Sequence, residues 1–277
     1  MNRLISVYLW IFLSLTALAA AQDSVSPPLL PAADKPTQNA FTASAKTGAP
    51  DVLSTQPAMP RMAPDFALQV LQGHAKLQAA DLAGYSAITL IHAELPATSQ
   101  SGEYEVKQHY SAPRTLIFKA LRFTGDNFVK TNVILRVLQS EVDHVQKDDP
   151  ALTAINRTNY KFSYKGTAEV NDRLVHVFQI KPHHNRTGLF KGKIYVDAYT
   201  GTLARAEGKM VRSPSLFVKK IEFVQDFADF NSFTFPVHIH SEAQARIVGR
   251  TVVDIYEHDV EPVSAVSTQA RNSLGGS

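Results

Sequence analysis

The chain has 277 residues, 44 % of them hydrophobic, a formal charge of +3 at pH 7 and no cysteine. That length allows one large domain or two small ones with an ample core, and the missing thiol excludes disulfides, thiolate metal sites, a cysteine nucleophile and an acylated N-terminal cysteine. Lys and Arg are scattered among Asp and Glu and form no basic stripe with interleaved aromatics, so nucleic acid is not an expected partner.

Residues 1–21 read as a secretory signal peptide. Arg3 gives the basic start, Leu4 to Leu18 the apolar run, and Ala17-Leu18-Ala19 or Ala19-Ala20-Ala21 a small-residue cleavage site. An uncleaved anchor is the alternative; the run is short for a membrane span and ends in alanines instead of charges. Residues 22–62 are poor in aromatics and rich in Ala, Pro, Ser and Thr. Such a segment buries too little apolar surface to offset its chain entropy, so a disordered linker is expected, as a tether or as a leader without a task.

A folded domain is expected at 63–262. Pro64 suits a first helical turn, and Phe66, Val70, Leu71, His74, Leu77 and Leu82 recur at helical spacing until Gly84. Strands are predicted at 85–95, 102–111 and 115–124, with Pro113 breaking the chain before the third. His92, Glu103, Glu105 and Lys107 suit a solvated outer face. A second helix is predicted over 132–146, with Val133, Ile134, Val137, Leu138, Val142 and Val145 in one stripe. Arg136, Gln139, Glu141 and Asp143 are placed on its opposite, polar face.

Strand follows strand after Pro150. Tyr160, Phe162 and Tyr164 share one face, and the Asn171-Asp172 turn leads into 173–181. Ile194 to Asp197 and Thr202 to Glu207 form a hairpin across Ala198-Tyr199-Thr200-Gly201, where Gly201 is free to take a positive φ. Phe217, Ile221 and Phe223 alternate with Lys220 and Glu222. Phe233, Phe235, Val237 and Ile239 alternate with Thr234, His238 and His240. A period of two with one greasy side marks a sheet covered on one face. A last strand runs from Arg250 to Pro262, and the Ser/Gly-rich tail, 263–277, is expected to fray. The class is therefore α+β, mainly β: nine or ten antiparallel strands with two helices and no βαβ unit.

Little here is catalytic. His238 and His240 share one side of a strand and could ligate one ion, but that side is the polar one and no further ligand is evident. His183 and His184 sit in a turn. His-Glu-x-x-His, Walker, Rossmann and Gly-x-Ser-x-Gly signatures are all missing. Asp197 and Glu207 flank the hairpin, where a turn cap is a simpler role for Asp197 than half of a carboxylate pair. Neither a cofactor nor a metal is expected, and the chain does not read as an enzyme.

The feature with functional content is the surplus of apolar residues facing one way: Leu90, Phe118, Phe162, Ile194, Phe217, Phe223, Phe235 and Ile239. A curved antiparallel sheet that does not close leaves a concave apolar face, and two short helices cover only part of it. The rest is either packed core or a cavity for acyl chains, each buried methylene contributing about 0.8 kcal/mol. On the residues alone, packed core is the ordinary outcome.

The run Leu189-Phe190-Lys191-Gly192-Lys193-Ile194-Tyr195-Val196-Asp197, followed by Thr200-Gly201 and Arg205, and then Ser213 to Phe223, resembles the C-terminal half of the bacterial outer-membrane lipoprotein-sorting proteins. These comprise LolA, LolB and RseB-like domains, and the resemblance covers about residues 64 to 262. It implies an incomplete antiparallel β-barrel with helices as a lid over its concave apolar face. It further implies a periplasmic protein that holds lipid or lipoprotein acyl chains without catalysis. The alternative it carries is an RseB-like envelope-sensing module that docks a membrane-associated protein partner; a metal-dependent hydrolase using His238 and His240 is a remote third. No LolB-type acylated cysteine is present, and no LolA lid arginine can be assigned.

Overall fold

The computed structural model describes residues 60–213, 218–246 and 249–266. The expected signal peptide, nearly all of the linker, most of the tail and Phe217 lie outside these residues.

Helix α1 (Pro64–Asp81) opens the domain with Pro64 in its first turn. Strands β1 (Leu82–Leu95), β2 (Gln100–Ser111) and β3 (Thr115–Gly125) follow as an antiparallel meander. A short α2 (Asn127–Val129), a π-helical turn (Lys130–Ile134) and α3 (Leu135–Lys147) come next. A 3-10 turn (Pro150–Leu152) leads to β4 (Tyr160–Val170), β5 (Arg173–Pro182), β6 (Phe190–Asp197), β7 (Leu203–Met210), β8 (Val218–Phe230), β9 (Phe233–Ala245) and β10 (Gly249–Ser264). All ten strands form one curved antiparallel sheet in the order β3-β2-β1-β10-β9-β8-β7-β6-β5-β4. It does not close: β3 and β4 are its two edges. The chain returns through β10 to pair with β1, Ile91 opposite Ile255, which joins the N-terminal meander to the C-terminal one.

Turn chemistry sets the hairpins. Asn171 and Asp172 both take positive φ between β4 and β5, as a two-residue hairpin loop demands. Gly201 turns β6 into β7 at φ 72°, and a Cβ there would lie 2.5 Å from Cγ1 of Val70 on α1. The glycine therefore serves both the turn and the close approach of the helix.

Both helices sit on the inner face of the sheet, α1 against β6 and α3 against β3, with α2 against β1 and β2. The core beneath α1 gathers Ala67, Leu68 and Leu71 with Phe178, Phe190 and Ile194. The core beneath α3 gathers Val133, Ile134, Val137 and Leu138 with Ile91, Val106, Ile239 and Ile255. A third cluster, with Tyr85, Tyr110, Phe233, Phe235 and Val145, lies at the end of α3.

Two sequence readings need correction. In α1 the buried residues are Ala67, Leu68 and Leu71, whereas Phe66 and Leu77 are 54 % and 69 % exposed. Close approach to the β6–β7 turn favours a face with a small residue at its centre, so bulk alone does not choose the buried side. In α3, Glu141 lies on the buried face and not on the polar one. Among the described residues no helix is long and apolar enough to cross a membrane.

Candidate functional site

Glu141 is the residue around which the site is built. It projects from α3 toward the sheet and is only 4 % exposed. Ile134, Val137, Leu138, Glu141 and Val145 follow the i, i+3, i+4, i+7, i+11 rule for one helical face, so the geometry that buries the apolar residues buries the acid with them. Glu257 meets it from β10, where Thr251, Val253, Ile255 and Glu257 alternate inward while Asp254 and Tyr256 face out. It is 7 % exposed. Both carboxyls line a cavity of about 20 Å³, walled by Ile91, Phe118, Val137 and Ile255. That is room for about one water.

Two neutral polar side chains share this cavity, and they are engaged. Thr89 Oγ1 donates to Gln108 Oε1 at 3.0 Å, and Gln108 Nε2 donates to the Tyr85 hydroxyl. The acids are not: among the described residues neither oxygen of Glu141 has a hydrogen-bond partner, nor does Oε2 of Glu257. Burial, with Glu257 beside it, holds the Glu141 carboxyl well above its ordinary range. Burial likewise pushes Glu257 up to about 8. A carboxylate without donors in an apolar wall disfavours its charge, and two together disfavour it more. Farther along the inner face, the hydroxyls of Ser241 on β9 and Thr251 on β10 are also buried without partners. Native interiors leave few such atoms, and each calls for an explanation such as a water, an ion or a ligand.

A second cavity, of about 230 Å³, lies between α1 and the segment after α3. Gln72, Lys76, Ile155, Asn156 and Arg157 line it.

The apolar residues picked from the sequence divide among these layers. Phe118 lines the acidic cavity. Ile239 belongs to the core under α3, Ile194, Phe223 and the partly buried Phe162 to the core under α1, and Phe235 to the third cluster. Leu90 is half-buried and out of phase with Thr89, Ile91 and Ala93, so it lies on the outer face. Phe217 is outside the described residues. Sequence reasoning missed Glu141 and Glu257. The available signal was their position inside an apolar period; charge was allowed to outweigh spacing.

The histidines and hairpin acids lie elsewhere. His238 and His240 are on the outer face and share one carboxylate oxygen of Asp254, at 3.2 and 2.9 Å. His238 stacks on Tyr256 with ring centroids 4.5 Å apart. Among the described residues no three His, Asp or Glu side chains are grouped to hold a metal ion. Asp197 caps its turn, accepting from the Tyr199 and Thr200 amides at 2.8 and 2.9 Å and from Arg173 Nε at 2.8 Å. Partial burial would raise its pKa, but the Thr200 amide, Arg173 and the Tyr199 amide outweigh that and hold it low. Glu207 instead accepts from Tyr195 and Lys193.

A model of a family of unknown function, DUF5686, matches residues 152–259, from the 3-10 turn into β10. No curated protein matches the chain in sequence. Solved structures similar to it include a DUF1329 family protein from Desulfovibrio piger, 10 % identical, with 73 % of this chain and 94 % of that one covered at a TM-score of 0.38. An outer membrane lipoprotein-sorting protein domain from Vibrio parahaemolyticus is 12 % identical over 72 % of this chain and 93 % of its own, at a TM-score of 0.36. A LolA superfamily protein from Nitrosomonas europaea is 10 % identical over the same shares, 72 % and 93 %, also at 0.36.

Proposed function

We propose that this is a non-catalytic periplasmic carrier that holds the acyl chains of a lipid or lipoprotein between its sheet and helices. The observation that carries the reading is the inner face itself. It is apolar across the sheet and covered by helices from two separate stretches of chain. It also encloses buried polar atoms that none of the described residues satisfies. A folded core that served packing alone would gain from replacing those atoms with methyl groups. A binding interior is apolar with a few placed polar groups. Entry would require α3 to lift, since the cavity beneath it is small as it stands.

A second reading, a module that docks a membrane-associated protein, rests on the edge strand β3. Ile117 and Leu121 there are 56 % and 48 % exposed on a strand whose outer edge has no neighbour in the sheet. Such an edge is open to pairing with another chain.

Native mass spectrometry of protein purified from a periplasm without detergent tests the first reading. The expected result is a co-purifying lipid that organic extraction releases. A clean apo mass, with no uptake of a neutral apolar dye by the stripped protein, would overturn it and leave the docking reading.

A further inference from the structure

We propose that Glu141 and Glu257 receive a cationic, hydrogen-bond-donating head group, an ammonium, of an amphipathic ligand whose apolar body lies against Phe118, Val137 and Ile255. The inference rests on the apolar-ligand reading above and names the ligand class it selects.

The geometry makes the argument. Two carboxyls reach one cavity from opposite walls, one from a helix and one from the sheet. Both are more than nine-tenths buried, and the oxygens of Glu141 and Oε2 of Glu257 accept no hydrogen bond. Among the neutral groups in the cavity, the Thr89 hydroxyl donates to Gln108 and the Gln108 amide donates to Tyr85, neither of them to the acids. What is missing from the site is a donor, and what suits two acids is a positive charge. An anionic head could be met only by acids that keep their protons and would hold the pair from ionising, and a neutral head would leave acceptor capacity unused. An ammonium carries three donors and no acceptor, so it fits the deficit group for group. The wall around the acids is aliphatic and aromatic, which suits a hydrocarbon chain once α3 lifts and strengthens the charge interaction by excluding water. With both acids held protonated in the empty site, taking up an ammonium draws a proton from the pair into solvent.

The test is competition against a neutral apolar dye bound to the stripped protein at pH 7. Dodecylammonium and dodecanoate are added separately below their aggregation thresholds, to wild type and to Glu141→Gln/Glu257→Gln. Wild type should release dye at about tenfold lower dodecylammonium than dodecanoate, the scale of one charge-assisted hydrogen bond. The double variant should still take up dye but lose the preference. Calorimetry of the amine in two buffers of different ionisation enthalpy should show proton release from wild type and none from the variant. Equal displacement by the two amphipaths in wild type, or a preference that survives in the variant, would overturn the head-group assignment while leaving the carrier reading intact. Failure of wild type to take up dye at all would remove both.

Discussion

Helices α1 and α3 lie on the same face of one sheet, but different interactions hold them. α1 is tied by directional bonds. Gln78 grips the start of β9 like a peptide unit, its amide donating to Thr234 O at 3.0 Å and its carbonyl accepting from Thr234 N at 2.9 Å. Just before the helix, Met62 N donates to Ala198 O at 2.8 Å, and Met62 O meets His176 Nε2 at 2.9 Å. α3 is bonded at its C-terminal end, where Arg114 Nη1 donates to Gln146 O at 2.7 Å, and along its length it presses an apolar face on the sheet with an unpartnered acid in its midst. Hydrogen bonds specify one position, whereas apolar packing around a buried carboxyl holds the helix down at a cost that a ligand could relieve. On this view α1 belongs to the frame and α3 is the cover.

The largest expected effect tests the acid beneath the cover, on β10. The Glu257 pKa is raised on folding, from 4.5 to about 8, so the folded state binds the proton more tightly than the unfolded chain. Its contribution is fully present below pH 4.5 and is lost as pH rises toward 8. Against Glu257→Gln, which does not titrate, wild type should lose about 1.4 kcal/mol per pH unit across that window. Urea unfolding at a series of pH values would show it, and parallel curves would place the group in solvent.

Removing the apolar half of the contact comes next. Ile134→Ala empties a fully buried position under α3 and should cost about 2–5 kcal/mol. Thermal unfolding measures the loss, and hydrogen exchange should show the amides of α3 opening well before those of α1. Equal opening of the two helices would abolish the distinction between cover and frame.

Gln78→Ala breaks both bonds of the α1 clamp and leaves Thr234 to water. It should destabilise by about 1–2 kcal/mol and accelerate exchange in α1 selectively. The smallest effect belongs to the exposed rim of α3, where Lys147 Nζ lies 2.9 Å from Asp143. Lys147→Ala should change stability by no more than about 0.5 kcal/mol, and that difference should vanish at high salt.

Much of this was legible from periodicity. The alternation of Phe233, Phe235 and Ile239 with His238 and His240 puts the histidines outside, which is where they lie. The Asn171-Asp172 and Gly201 turns follow from backbone chemistry. The inner face of α3 was nearly legible too, since Glu141 sits at the centre of its own apolar stripe. Leu90 shows the converse: an apolar residue, out of phase by one, faces the other way.

By itself the sequence determined the local elements: an antiparallel set of strands, two helical segments, their turns, and the face of each strand. These depend on neighbours a few residues apart, whose spacing is written in the chain. Tertiary structure alone decided that β10 lies beside β1, that α1 docks through Ala67, Leu68 and Leu71, and that Glu141 and Glu257 share one cavity. Each of those depends on residues far apart in sequence and adjacent only in space. The burial that shifts a carboxyl's proton affinity is a property of that enclosure and not of the residue.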